Sequence, residues 1–421
     1  MQRPVVHIIG AGFSGLATAV RLVAEQACEI VVHEGAMQAG GRRRSYLDDA
    51  TNAMVDNGNY PLLSGDASSF AFVDAIGARQ QFETLPNSDL AFADMASGQR
   101  WSLRPNEGRL PWWLLSPARR APHTRLQDYW SIVRMLRAKP TSAIGDVIEC
   151  AGPVYDCLWR PLLLAALNTD PKIASAGLAA APLRELLAQG GRGASLSLPR
   201  NGLSRALIEP ALRYMRRSGA QMRFGRRLQA VELLGGRVDR LEFEHDSVRL
   251  GVRDYVVLAV PAYAASALIP TLSTPQKFNA TLTAHFNIAP PANQPRVLGV
   301  VNGTINWIFA WPDRLSATIN NANELMDKPR EQLAADIWRE VAALTGHSDA
   351  LPSWRIVRQR RVTFLATAEE DARRPRTQTS WSNLFLAGAY VQNGRPAAGL
   401  ESTIRSGQTA ATSVVAQMAR E

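Results

Sequence analysis

Apolar and polar positions near the start of the chain follow two different periods. Val5–Ile9 and Glu29–His33 are short apolar runs, the pattern of parallel strands buried on both faces. Residues 16–26 between them space their apolar positions as a helix does. Further along, 228–233, 238–243 and 255–260 alternate or run apolar as strands, joined by Gly235-Gly236 and polar turns. Residues 383–388 form another buried run, followed by a glycine-bearing turn and a helix over 400–418 with small residues on its packing side. Between these pieces, residues 70–200 are mostly helical after a strand pair near 90–103. Residues 263–375 mix strands (280–288, 297–301, 305–311) with a helix at 330–345.

The junction of first strand and first helix carries Gly10-Ala11-Gly12-Phe13-Ser14-Gly15. Each glycine at that spacing has a task in holding a dinucleotide. Gly10 permits the tight turn, Gly12 lets backbone approach a pyrophosphate, and Gly15 lets the helix pack closely on the sheet. The helix N-terminus offers free N–H groups and partial positive charge to the phosphates. Glu34 closes the second strand, 19 residues after Gly15, where a carboxylate accepts from ribose hydroxyls.

These elements predict an α/β protein. A Rossmann-type dinucleotide-binding domain comes from three pieces, 1–65, 200–262 and 383–421. An interleaved α+β substrate domain comes from 66–199 and 263–382 and closes over the first. At 421 residues the chain is long enough for two such domains.

Composition excludes more than it selects. Apolar content of 46% and charged content of 20% are those of a soluble globular protein. Cys28, Cys150 and Cys157 form no disulfide framework and no Cys-x-x-Cys pair, which points to a reducing cytoplasm and away from a thiolate metal site; no metal is expected. Cys150 and Cys157, seven apart in a helix-like stretch, suggest one buried face. The first strand begins at residue 5, which leaves no room for a cleaved leader, and no 18-residue apolar run spans a membrane. Net charge is +10, with 43 of the 47 basic residues arginine. A compositional habit of the source explains that skew, and so does attraction to anionic lipid. Nucleic-acid binding finds no recognised module and no arginine stripe.

Two stretches keep two readings each. Leu110-Pro111-Trp112-Trp113-Leu114-Leu115, then Arg119-Arg120 and an apolar, basic helix over 126–137, is either a membrane-interfacial segment or an aromatic plug. The apolar helix within 158–175 ends at Asn168-Thr169 before Pro171, and is either core or the lining of a long cavity.

At this point the residues carry a family likeness. Gly10-x-Gly12-x-x-Gly15, Glu34, Ala39-Gly40-Gly41-Arg42 and the Gly388…Glu401…Gly407 block resemble the flavin amine oxidase and phytoene desaturase superfamily. Within it, the 159–175 run, Ser197-Leu198-Pro199-Arg200 and Asp56-Asn57-Gly58 resemble the hydroxysqualene dehydroxylases, squalene-forming flavoproteins of bacterial hopanoid biosynthesis. The likeness implies FAD as the dinucleotide, with Gly41 and Arg42 at its pyrophosphate. It implies Val231 at the adenine and Asn57 and Gly58 near the ring. Gly388, Ala389, Leu400 and Glu401 would lie along the ribityl chain and pyrimidine edge. The family commonly has Gly-Asp at Gly388-Ala389, and Gln-His at Asn59-Tyr60.

The same likeness implies a reductive dehydroxylation of hydroxysqualene, a long isoprenoid, in which an allylic C–O bond breaks and a hydride from reduced FAD takes the carbon. That chemistry needs a dry apolar pocket and a proton donor at the oxygen. No side chain announces itself as the donor. His7, His33, His123, His245, His285 and His347 are scattered; Asp56, Asn168 and Thr169 are the cleft candidates. A carotenoid-type desaturase would use the same parts in the oxidising direction. An amine oxidase would want an aromatic pair and a lysine. A prenyl-binding carrier of the GDP-dissociation-inhibitor type shares the fold without FAD. No nucleic-acid partner is expected, and oligomeric state stays open.

Overall fold

The computed structural model describes residues 3–48, 53–86, 88–395 and 399–420. Four apolar strands and a short polar edge strand make one parallel sheet in the order Gln221–Arg223, Glu29–His33, Val5–Ile9, Tyr255–Leu258, Leu384–Leu386. Strands from widely separated stretches of chain therefore meet side by side, Ile9 pairing with His33 on one side and Leu258 on the other. Both faces are covered, which is why the strands need no polar side. The helices Phe13–Glu25, Glu209–Arg217 and Leu400–Met418 pack on one face. A three-stranded antiparallel sheet (Leu228–Leu234, Arg237–Phe243, Ser247–Arg249) and the helix Ala262–Leu268 cover the other.

Glycine sets how closely the first and last helices approach. A Cβ at Gly407 would lie 2.2 Å from the Ser14 carbonyl oxygen, and one at Gly15 would lie 1.9 Å from the Gly10 oxygen. Thr18 Oγ1 donates to the Gly407 carbonyl at 3.0 Å across the same crossing. The expected first helix starts three residues early, at Phe13, so its open end lies directly on the glycine turn.

The remainder is built on a seven-stranded sheet in the order Trp354–Phe364, Phe278–Phe286, Leu315–Asn320, Trp307–Ala310, Val297–Val301, Leu90–Asp94, Arg100–Leu103. Pairing is antiparallel except between Val297–Val301 and Leu90–Asp94. Its two faces differ in chemistry. Ala280, Leu282, Ala284 and Phe286 face the helix Arg330–Thr345 and its buried Trp338. The alternate residues Thr281, Thr283 and His285 face the other way, toward the parallel-sheet domain, as the two-residue strand period requires.

Over the far side lie the helices Arg160–Leu167 and Ala176–Gln189 and the irregular segment from Trp112 to Arg137. The expected helix over 126–137 divides into a 3₁₀ segment, Leu126–Trp130, and an α-helix, Ser131–Arg137. A π-turn, Tyr155–Trp159, leads into Arg160–Leu167; Pro161 there has no N–H to give, and the wider hydrogen-bonding ring spans the gap. Cys157 sits in that turn while Cys150 precedes it, both half-buried and unpaired, so the expected shared helical face does not form. Among the described residues no helix is long and apolar enough to cross a membrane.

Candidate active site

A groove of about 570 Å³ runs along the carboxyl edge of the parallel sheet. Gly10 turns the chain there with φ +105°, and a Cβ would meet the Ala259 carbonyl oxygen at 2.6 Å. Gly12 is different: nothing lies within 4 Å of the place its Cβ would occupy. That space opens onto the groove above the helix Phe13–Glu25, whose N-terminus has no side-chain cap and no acidic residue in its first turn. The last helix, Leu400–Met418, starts beside it at Gly399, also with no side-chain cap. Ser14 Oγ donates to the Thr403 carbonyl at 3.1 Å and ties the two starts together.

Gly40 and Gly41 form the opposite lip. Gly40 N–H donates to the Ala11 carbonyl at 2.8 Å, and Gly41, at φ +58°, comes within 3.3 Å of Gly12 Cα when a Cβ is built on it. Arg42 lines the groove and anchors itself on the carbonyls of Arg361 and Val362, at 2.6 and 2.8 Å. Glu34 accepts from Ala11 N–H at 2.7 Å and Ala36 N–H at 2.8 Å, so its carboxylate organises the turn as well as facing the groove.

At the far end His33 stacks on His7, their ring nitrogens 3.1 Å apart, with Arg226 3.2 Å from the other nitrogen of His33. Burial, mutual proximity and Arg226 push His33 down to about 3; burial pushes His7 to about 4. That environment disfavours the charged form of both rings.

The groove opens at its near end into a cavity of about 340 Å³, the two sharing Arg43, Tyr60 and Val362. Leu162, Ala165, Val297, Trp307 and Phe309 give this cavity apolar walls. Thr281, Thr283, Gln359 and Thr363 give it a hydroxyl- and amide-bearing floor from the seven-stranded sheet. Tyr60 stands at the junction: its hydroxyl donates to Gln359 Oε1 at 3.3 Å, and the Arg43 guanidinium lies 5.3 Å from its ring centre. A Cβ on Gly58 would sit 2.6 Å from that hydroxyl, which is why the position is glycine. Through Leu63, Leu162 and Pro182 the cavity continues into a second of about 150 Å³ between Arg160–Leu167 and Ala176–Gln189.

The sequence-based candidates divide between these spaces. Gly10, Gly12, Phe13, Ser14, Glu34, Gly41, Arg42, Gly388 and Ala389 line the groove; Gly58, Asn168, Leu400 and Glu401 line the cavity. Ala11 and Gly15 lie beneath the turn and shape it.

Four candidates do other work. Val231 packs against the core beneath the antiparallel sheet, and Leu228 and Gln229 form the groove wall instead. Asn57 pins the arginine loop, accepting from Arg44 N–H at 3.0 Å and donating to the Arg42 carbonyl. Asp56 is buried away from both spaces, accepting from Ser45 and from Leu203 N–H at 3.0 Å; burial raises its pKa despite those bonds. Thr169 is wholly buried, accepting from Ala366 N–H at 2.9 Å and Asn279 at 3.1 Å.

Asn168 combines both roles. It ends its helix at φ 49° and bonds Thr363 Oγ1 at 3.0 Å and Asn321 N–H at 2.7 Å while facing the cavity. Arg43 and Asp66 are site residues that sequence reasoning passed over, and Tyr60 entered it only as a departure from the family's Gln-His.

The family model for flavin containing amine oxidoreductases matches residues 13–415. The chain belongs to this family.

Relatives named hydroxysqualene dehydroxylase match it nearly end to end. That of Rhodopseudomonas palustris (strain ATCC BAA-98 / CGA009) is 46% identical over 412 residues, covering 98% of both chains. That of Sinorhizobium fredii (strain NBRC 101917 / NGR234) is 44% identical over 406 residues, covering 96% of this chain and 97% of its own. Among solved structures, cyclohexylamine oxidase from Brevibacterium oxydans IH-35A superposes with TM-score 0.74 at 16% identity, each chain fully covered. An oxidoreductase from Methanosarcina mazei superposes with TM-score 0.70 at 14% identity, covering 96% of this chain and 99% of that one. Those two likenesses establish the fold.

As a flavin-family enzyme the protein uses FAD. Its residues fit that group on two counts. The space over Gly12 is vacant of protein atoms, and the uncapped start of the helix Phe13–Glu25, with no acidic residue in its first turn, faces the groove.

Proposed function

We propose that the protein catalyses the FAD-dependent reductive dehydroxylation of hydroxysqualene to squalene. The observation that carries this reading is the nearly end-to-end identity, 39 to 46%, to three hydroxysqualene dehydroxylases. The geometry supports it: a dinucleotide groove meets an apolar cavity at one narrow junction, which suits an isoprenoid brought against a flavin ring. Reduced FAD supplies the hydride.

The chain's own residues do the rest. Glycines 10, 12 and 41 and the start of the helix Phe13–Glu25 hold the pyrophosphate. Glu34 and the Leu228–Gln229 wall hold the adenosine end. Gly388, Ala389 and Tyr390 flank the ring side. Leu162, Ala165, Trp307 and Phe309 keep water from an allylic cation, and the threonine floor receives the hydroxyl. The FAD domain comprises 1–65, 200–262 and 383–421, and the substrate domain 66–199 and 263–382.

The substrate is lipid-soluble, and the protein takes it from the cytoplasmic surface of a membrane. Leu110, Trp112, Leu115 and Trp130 are 59 to 66% exposed on one segment that also carries Arg109, Arg119, Arg120 and Arg125. Aromatic and leucine side chains flanked by arginines suit the headgroup boundary of an anionic bilayer. Trp113, by contrast, packs edge-on against Tyr129 and belongs to the core.

The deciding experiment is an anaerobic incubation of the FAD-loaded, chemically reduced protein with hydroxysqualene. Squalene is the expected product. A desaturated polyene formed in air, with no squalene under reducing conditions, would reverse the direction of the assignment.

A further inference from the structure

The cavity wall carries a group of charged side chains with no evident place in an apolar channel. Asp66 and Arg395 line both the 340 Å³ and the 150 Å³ cavities, at the point where one passes into the other. Arg395 Nη1 lies 3.6 Å from Asp66 Oδ1 and also bonds Glu185. Arg405 bonds Glu185 at 3.0 Å and Glu401 at 3.0 Å. Arg395 and the last helix, through Glu401 and Arg405, thus present charge to Asp66, and Glu185 of the helix Ala176–Gln189 holds both arginines.

The two carboxyls on the wall of the larger cavity are held very differently. Glu401 accepts from Ser69 N–H at 2.8 Å, Ser69 Oγ at 2.9 Å, Ser68 N–H at 3.2 Å and Arg405. Burial alone would raise its pKa, but those bonds outweigh it and keep it ionised. Among the described residues the Asp66 carboxyl accepts one hydrogen bond, from Leu63 N–H to Oδ2 at 2.9 Å, and its Oδ1 faces Arg395 at longer range. Burial, helped by the Glu401 charge and opposed by the Leu63 bond and both arginines, pushes it up to about 6. One environment fixes a carboxylate and the neighbouring one lets its carboxyl hold a proton to higher pH than an ordinary aspartate, the separation by which paired carboxyls take acid and base roles.

Elimination leads to the same side chain. Besides these two, the titratable groups lining the described parts of the two cavities are Arg43, Tyr60, Glu185 and Arg395. Guanidiniums do not give up a proton here, Glu185 is held between two of them, and burial raises the Tyr60 phenol.

We infer that Asp66 is the general acid that protonates the departing hydroxyl of the substrate. The inference rests on the function proposed above. The allylic C–O bond breaks with its electron pair going to oxygen, and the Asp66 proton makes the leaving group water. The carbon is reduced by the hydride of the reduced flavin, which is oxidised, and Asp66 is left as a carboxylate beside the cationic carbon chain. It recovers its proton from solvent, which reaches the cluster at Glu185, where a third of the side chain is exposed.

The test compares wild type with Asp66→Asn, which still accepts from Leu63 N–H. The variant is expected to bind FAD as wild type does and to form squalene about 100-fold more slowly or worse. Wild-type single-turnover rate should fall as pH rises through about 6, and the variant should lack that dependence. Squalene formation by the variant within about twofold of wild type overturns the acid role alone. A reduced wild-type protein that forms no squalene overturns the functional reading, and the acid role with it.

A readout without cofactor stands beside these and serves if the variant does not fold. In wild type labelled with ¹³C-aspartate, an infrared carboxyl band should disappear between about pH 5 and 7. Farnesol, an allylic alcohol probe, should displace it, whereas buried Asp56, which lines neither cavity, should not respond. An aspartate population fully ionised at pH 5, or one indifferent to farnesol, overturns the proposal.

Discussion

Gly12 and Gly407 make the sharpest test of the cofactor groove, because alanine at each adds the same methyl group to opposite surroundings. At Gly407 the new Cβ would lie 2.2 Å from a backbone oxygen and 2.9 Å from Ala17 Cβ, in the crossing of two helices with no flexible neighbour to yield. Relief requires the helices to separate, and overpacking of this kind costs about 1–3 kcal/mol. At Gly12 the Cβ meets nothing within 4 Å, and φ −71° suits any residue. Alanine there gains about 0.4–1 kcal/mol from a less flexible unfolded chain, and loses about 0.5–1 kcal/mol as a poorer helix cap than glycine. The apoprotein should therefore be as stable as wild type to within about 0.5 kcal/mol.

The bound cofactor is what the methyl at Gly12 displaces. Loss of one charge-assisted contact to a phosphate is worth about 1.5–3 kcal/mol, or about 10- to 150-fold in FAD affinity. Thermal unfolding of the apoproteins and flavin-fluorescence titration measure both effects. Gly407→Ala should lose stability, and Gly12→Ala should lose only affinity. A Gly12→Ala protein that binds FAD like wild type refutes the placement of the pyrophosphate, and one as destabilised as Gly407→Ala refutes the vacant cradle.

Other expectations are shorter. Ala389→Asp restores the carboxylate the family commonly has at the groove and should tighten FAD by about 1–3 kcal/mol; unchanged affinity by fluorescence titration counts against that contact. His7, His33 and His285 are held at about 4, 3 and 4, below the usual value of 6.5. A depressed histidine contributes stability above pH 6.5 that is lost as pH falls toward 4, because the unfolded chain takes up the proton first. His33→Asn should therefore lessen the fall in urea midpoint between about pH 6.5 and 4.5, and an identical slope would show His33 to be charged in the fold. Trp112→Ser/Trp130→Ser should abolish flotation with anionic liposomes at low salt and leave thermal stability unchanged. Flotation equal to wild type would assign membrane contact elsewhere.

Much of the parallel-sheet domain was legible because its signals are local. Gly10, Gly12 and Gly15 answer to steric demands within a few residues of themselves, and the helix Leu400–Met418 carries its own small-residue face. The strand Trp354–Phe364 was not legible, since arginines occupy four of its eleven positions. It is the edge of its sheet, where charge on the solvent side is tolerated and discourages further pairing. A residue pattern fixed by edge position carries no hydrophobic alternation to find. Val231 was misplaced for a related reason: register shifts between Leu228 and Ala230, and between Glu232 and Leu233, alter which residues of that strand meet the groove.

The site itself depends on contacts that no stretch of sequence contains. Asp56-Asn57-Gly58 drew attention as a motif, yet its polar members hold the loop: Asp56 anchors Ser45 and Leu203, and its carbonyl accepts from His285 Nε2–H at 2.8 Å. What that rigid loop delivers is the next aromatic, Tyr60, whose hydroxyl needs the missing side chain of Gly58 and whose partner Gln359 comes from 299 residues away. Asp66 is likewise unremarkable in sequence, a polar residue before a short helix. Its raised pKa arises only when the fold buries it and brings Glu401 to it from the other end of the chain, against the opposing charges of Arg395 and Arg405. The motif residues thus position, and their inconspicuous neighbours reach the substrate. A mutational scan confined to the motifs would find folding and cofactor defects and would miss the proton.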